Sequence, residues 1–170
     1  RGVNEITIDF AGAEFHRDEN FVYTLFVPDR ASRAFPCFDQ PNLKARFRLK
    51  LELPDGWVGV WNAVEETPPI PTYLFGFAAG KFEVLEDPRG YRMFHRETDR
   101  AKLERNAKTI FDLHDASRRW LEQYTDVPYP FDKFDFVLLP AFPYRGMEHP
   151  GAILYRADAL LLDESATQEQ

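Results

Sequence analysis

AKLERNAKTIFDLHDASRRWLEQY, residues 101–124, is the stretch on which the fold turns. Leu103, Ala107, Ile110, Phe111, His114, Leu121 and Tyr124 recur at helical spacing on one stripe, so the run predicts an amphipathic helix. Asp99 stands where an N-cap belongs, and Pro128 and Pro130 in DVPYP cannot continue the helix. The sequence upstream reads differently. In FRLKLEL, residues 47–53, Phe47, Leu49, Leu51 and Leu53 alternate with Arg48, Lys50 and Glu52, the period of a half-buried strand. NEITIDF, residues 4–10, alternates more briefly. NFVYTLFV, residues 20–27, is apolar on both faces and predicts a strand covered on both sides. PTYLFGFAAGKFEVLE, residues 71–86, predicts a buried strand, a bend and a second strand, with Gly76 and Gly80 marking a bulge or a close backbone approach.

The pattern changes after EDPRG, residues 86–90. Beyond the helix, FDFVLLP (134–140) and GAILY (151–155) read as buried strands around a turn rich in Gly and Pro. The expected fold is therefore α+β: a β-rich part over residues 1–87 and an α/β part over residues 88–170, too small to be a complete α/β domain.

Composition sets the outer limits. The 170 residues can bury a core, and the 15% aromatic share argues for a well-packed one. A net charge of -7 with no basic block excludes an electrostatic nucleic-acid surface. No apolar run reaches the roughly 18 residues of a membrane helix, and the N-terminus has no signal-peptide core. Cys37 is the single cysteine, so no internal disulfide or Cys-based zinc cluster exists; that fits a reducing compartment and favours the cytoplasm. The chain also lacks an initiator Met, as expected of a fragment.

None of His16, His95, His114 and His149 pairs with another at metal-ligand spacing, and H-E-x-x-H is absent. His114 lies on the helix stripe and reads as a core histidine, and Cys37 between Pro36 and Phe38 as a small buried hydrophobe. Glu148 in RGMEHPG, residues 145–151, stands in a Gly/Pro turn at the end of a buried strand, where sites are often placed. Its carboxylate is either a ligand for a cation such as an α-ammonium group or an ordinary solvated loop charge. Gly146 beside it lets a substrate backbone approach closely.

Four stretches in order resemble the aminopeptidase N family of zinc metallopeptidases. Residues 145–149, Arg-Gly-Met-Glu-His, are similar to that family's G-[AG]-M-E-N. RAFPCFDQPNLKARFRLKLELP (33–54) is similar to its R-R-x-F-P-C-x-D-E-P-x-x-K-A segment, and TPPIPTYLFGFAAGKFE (67–83) to its T-P-x-M-S-T-Y-L-x-A-F-x-V-G-x-F segment. YPFDKFDFVLLPAFPYRGMEH (129–149) is similar to the family run that leads into the G-A-M-E-N loop. The resemblance implies an antiparallel, β-rich N-terminal domain of saddle or sandwich shape, followed by the first, incomplete part of a thermolysin-like catalytic domain. It implies peptide substrates with a free N-terminus, held by Gly146, Met147, Glu148 and His149, with Glu148 on the α-amine and the backbone of Gly146 and Met147 along the substrate main chain.

The resemblance also implies zinc in the parent protein. The family's H-E-x-x-H follows this loop by a few tens of residues, so no catalytic or metal residue is expected within the chain, and the piece alone is expected to be inactive. Departures from the family pattern are specific. His149 stands at the motif's Asn and Arg145 at its first Gly. Leu25 and Val27 stand where the family carries a Gln and often a Glu. The hairpin usual between segments like WNA and TPPI is missing from WNAVEETPPI, residues 61–70. Leu25 and Val27 keep open a second expectation, the peptide- or protein-binding part of a catalytically inactive relative. A domain cut short is expected to expose apolar surface on the strands after Phe134, and to self-associate through it.

Overall fold

The computed structural model describes residues 2–12 and 15–165, in two sheets and one long helix. The first sheet is wholly antiparallel, in the order β1 (His16–Arg17), β2 (Phe21–Tyr23), β4 (Phe77–Gly80), β3 (Val58–Trp61). The second has the order β5 (Glu83–Glu86), β6 (Arg92–His95), β7 (Asp135–Leu139), β9 (Ala152–Arg156), β8 (Gly146–Met147). Its three central strands are parallel, and antiparallel β5 and β8 form its two edges. Helix α1, Arg100–Thr125, makes the crossover that parallel β6 and β7 require. The α+β class expected from the sequence is the fold observed.

β7 shows how the layers are held. All five of its residues are buried, as a central strand covered on both faces must be. Phe136 and Leu138 pack with Leu103, Ile110 and Phe111 of α1. Val137 and Leu139 face the other way and pack with Phe21, Tyr23 and Val60 of the first sheet. The second sheet is thus the middle layer, and each large side chain buried there contributes roughly 1.5–3 kcal/mol. Asp99 caps α1 by accepting from the Lys102 amide at 3.0 Å, as expected, and the helix ends at Asp126, whose φ of 54° is left-handed. The buried end of the helix is also tied by polar contacts: the Tyr91 hydroxyl donates to Asp115 at 2.8 Å, and Arg118 Nε donates to the same hydroxyl at 2.9 Å.

Two sequence expectations are corrected. Residues 47–53 form no strand, although Phe47, Leu49, Leu51 and Leu53 are half-buried and Arg48, Lys50 and Glu52 exposed. The alternation is real, but backbone pairing stops at the bridge of Ala45 with Ile70 and the bonds of Phe47 to Thr67. Residues 4–10 likewise form no strand and are exposed throughout. Large apolar side chains are exposed along α1, at Leu113, Trp120, Leu121 and Tyr124, and at Val127 beyond it, while Ile153 and Tyr155 on β9, after Phe134, are half-buried beneath them. Leu113 and Leu121 wall a groove of about 870 Å³ whose floor is Phe134, Ile153 and Tyr155. The terminal residues 166–170 of the polar tail lie outside the described residues.

Candidate functional site

The turn between β8 and β9 is set by local chemistry. His149 carbonyl oxygen accepts from the Ala152 amide at 3.2 Å, so residues 149–152 close a β-turn. Pro150 and Gly151 occupy its two central positions, and Gly151 has φ +72°, the arrangement of a type II turn. Glycine is required for a second reason. A Cβ on Gly151 would lie 2.0 Å from the carbonyl oxygen of Asn62. The turn is therefore pressed against the end of β3 in the other sheet.

This turn presents the candidate residues in two directions. Among the described residues β8 is the edge of the second sheet and pairs only with β9, through Gly146 with Tyr155 and Met147 with Leu154. Gly146 is exposed, and a Cβ there would meet the Tyr155 ring at 2.9 Å. Met147 points inward, 5% exposed, into the cluster that also holds Tyr23, Leu25 and Phe142. Glu148 is exposed and makes no hydrogen bond or ion pair with any described residue. His149 has no exposed surface, and neither ring nitrogen has a hydrogen-bond partner among the described residues. Its ring lies against Gly76, where a Cβ would come within 2.7 Å of Cδ2. Burial without a partner disfavours the charged imidazolium and pushes the His149 pKa down to about 4. The structure brings Gly146 and Glu148 to the open edge together; it turns the His149 ring into the protein interior.

Two residues outside the sequence motifs hold the turn. Asn62, 1% exposed, donates from Nδ2 to the carbonyls of Leu74 and Pro150, each at 2.9 Å, and accepts from the Gly76 amide at 2.7 Å. The Tyr129 hydroxyl accepts from the Gly151 amide at 3.1 Å, and burial pushes its pKa up to about 12. Sequence reading missed both. The one available signal was an Asn immediately after an apolar strand, which reads equally well as a turn residue.

The remaining candidates behave as core groups. His114 Nδ1 lies 2.7 Å from the Ile110 carbonyl, which can only accept. Nε2 is therefore the acceptor for the Tyr155 hydroxyl at 3.1 Å, and burial lowers the His114 pKa. Burial, with the charge of Asp39 adding to it, pushes the Cys37 thiol up to about 11, unsuited to a nucleophile. Leu25 is buried in the Met147 cluster, and Val27 packs against that cluster. Among the described residues no three His, Cys, Asp or Glu side chains converge as a metal site, and no helix is long and apolar enough to cross a membrane.

Comparison with known families gives two matches: the peptidase M1 N-terminal domain over residues 10–74, and the peptidase family M1 domain over residues 111–170. Aminopeptidase M1 of Arabidopsis thaliana is 33% identical over 169 residues, covering 86% of this chain and 18% of its own length. Aminopeptidase M1-C of Oryza sativa subsp. japonica is 31% identical over 164 residues, covering 88% of the chain and 19% of its own length. Leucyl aminopeptidase of Saccharolobus solfataricus is 29% identical over 170 residues, covering 91% and 22%. The chain spans about a fifth of the length of these curated relatives.

Proposed function

Since the chain belongs to peptidase family M1, we propose that it supplies the substrate-amine end of a zinc-dependent aminopeptidase that removes N-terminal residues from peptides. The supporting observation is Glu148, an exposed carboxylate without a partner, one residue past the edge strand Gly146–Met147. The outer edge of β8 is unpaired among the described residues, so an extended peptide can add to it as a further strand, with Gly146 leaving room for its backbone. The peptide's N-terminal ammonium then meets Glu148, and a carboxylate with no competing cation is suited to hold it. On this reading the zinc would be held by residues other than the described ones, and this chain alone, supplied with zinc and an aminoacyl substrate, should give no turnover. The open groove along α1 is the surface through which copies of the isolated chain would self-associate.

The test is Glu148→Ala in the full protein. A charge-assisted contact is worth about 1.5–3 kcal/mol, so kcat/KM for a chromogenic aminoacyl substrate should fall roughly tenfold to a hundredfold. Unchanged KM and kcat would remove Glu148 from amine recognition.

A second reading rests on Leu25. Its burial in the Met147 cluster makes apolar a wall where the aminopeptidase N resemblance implies a polar group. On that reading the parent binds peptides without cleaving them. A purified, zinc-loaded full protein that binds free-N-terminus peptides and never turns them over would favour it.

A further inference from the structure

We propose that Asn62 is the positioning residue of the amine-binding turn, reaching across from the first sheet to fix the height of Glu148 above the edge strand. The inference rests on the reading of Glu148 given above. Asn62 follows β3 directly, so its backbone moves with the first sheet. Its side chain spans 88 positions of sequence to reach the Pro150 carbonyl, two residues beyond Glu148. It uses both of its amide N–H donors and its carbonyl oxygen, on Leu74, Pro150 and Gly76, and is 1% exposed. A buried amide so fully satisfied has one orientation open to it, because rotating it would leave three buried groups unpaired.

The contact acts on the turn from two sides. On one side Asn62 holds Pro150, and its own carbonyl oxygen blocks Gly151 from moving inward. On the other it fixes the Gly76 amide, and Gly76 forms the notch in which the His149 ring sits. The His149 ring has no polar partner among the described residues, so packing in that notch is what orients it. Glu148 is followed in sequence by both anchored residues, His149 next to it and Pro150 beyond. Its own side chain touches nothing that would hold it. The precision of the carboxylate therefore comes from its neighbours, which Asn62 holds directly while Tyr129 holds the Gly151 amide beyond them. A misplacement on the order of 1 Å can cost up to about 100-fold where geometry matters.

The test reads amine preference apart from general binding. The probe is a tripeptide with a ketomethylene in place of its first amide, with the N-terminal amine either present or replaced by hydrogen. Its Kd for the full protein is measured by calorimetry, and the ratio of the two Kd values is the amine preference. Asn62→Ala removes all three bonds. Asn62→Asp keeps the acceptor for Gly76 but sets an oxygen against the Leu74 and Pro150 carbonyls. Both should lower the ratio about tenfold, while the Kd of the des-amino probe changes by less than about twofold. Glu148→Ala serves as the reference and should bring the ratio close to one. If Glu148→Ala keeps the full preference, the amine-site reading itself fails. If Glu148→Ala abolishes the preference and both Asn62 variants retain it, the positioning role is overturned. An equal loss of both probes, or loss of folded protein in both variants, would show Asn62 to be a general fold determinant and overturns it too.

Discussion

The turn at residues 146–151 and the extended run at residues 47–53 differ in what answers their backbone. The turn carries an irregular sequence, yet nearly every group in it is met. The Ala152 and His149 amides are bonded within the turn, the Gly151 amide goes to Tyr129, and the Pro150 carbonyl goes to Asn62. The run carries a cleaner signal, four apolar residues in strict alternation, and past Phe47 it has no ladder partner. Alternation assigns side chains to faces, and it did so correctly for each residue of the run. Pairing needs a second segment at the right register, and past the Phe47–Thr67 contact no described segment supplies one. Substitutions in the two places should therefore differ in cost, and the difference can be measured.

The largest effect is expected at Gly151. A Gly151→Ala change forces a side chain into φ +72° and places its Cβ 2.0 Å from the Asn62 carbonyl oxygen. The left-handed conformation alone costs roughly 1–2 kcal/mol, and displacing packed backbone adds about 1–3 more, for a total of about 2–5 kcal/mol. Urea unfolding of the chain measures this directly. A loss below about 1 kcal/mol would mean that the turn is not pressed against β3.

The next effect is a pH dependence carried by His149. Its folded pKa of about 4 lies below the ordinary 6.5, so the folded state holds the ring neutral. The unfolded chain binds the proton first as pH falls. The stability that His149 contributes is thus complete above about pH 6.5, declines below it, and is fully lost near pH 4. The gap corresponds to about 3 kcal/mol. His95 and His114 are shifted down by burial in the same direction, so the wild-type curve contains their contributions as well. Subtraction isolates His149: His149→Leu should gain about 3 kcal/mol on the wild type between pH 7 and pH 4. Parallel curves would show that the ring is protonated, or hydrated, in the folded state.

What the sequence disclosed follows the same division. Local chemistry was legible: Asp99 as the helix cap, Gly76 and Gly80 as close approaches, β7 as a buried strand. The candidate loop was legible too, because Gly146, Glu148, Pro150 and Gly151 stand close together in sequence. Long-range contacts were not. Nothing in residues 61–63 announces that Asn62 meets Pro150, since an amide's partners are fixed only once two sheets have packed. The burial of His149 was not legible for a related reason: the space that takes its ring inside is left by a glycine 73 positions earlier.

The smallest effect should come from the run at 47–53, and it decides whether the absence of a ladder is an energetic fact. Leu51 is half-buried, and its Cδ1 lies over Gly59 of β3, 2.8 Å from where a Cβ would be. It contributes contact on one face only, with no backbone pairing for a substitution to disturb. A fully enclosed leucine costs about 2–5 kcal/mol on truncation, since a cavity is left behind. At Leu51 solvent can fill the space, so Leu51→Ala should cost about 1 kcal/mol, roughly the transfer term for a partly buried side chain. Amides of residues 48–53 should also exchange with solvent far faster than those of β7, because none of them donates to a neighbouring strand. A cost above about 3 kcal/mol, with slow exchange, would mean that this edge is paired in solution. The contrast with the 146–151 turn would then collapse.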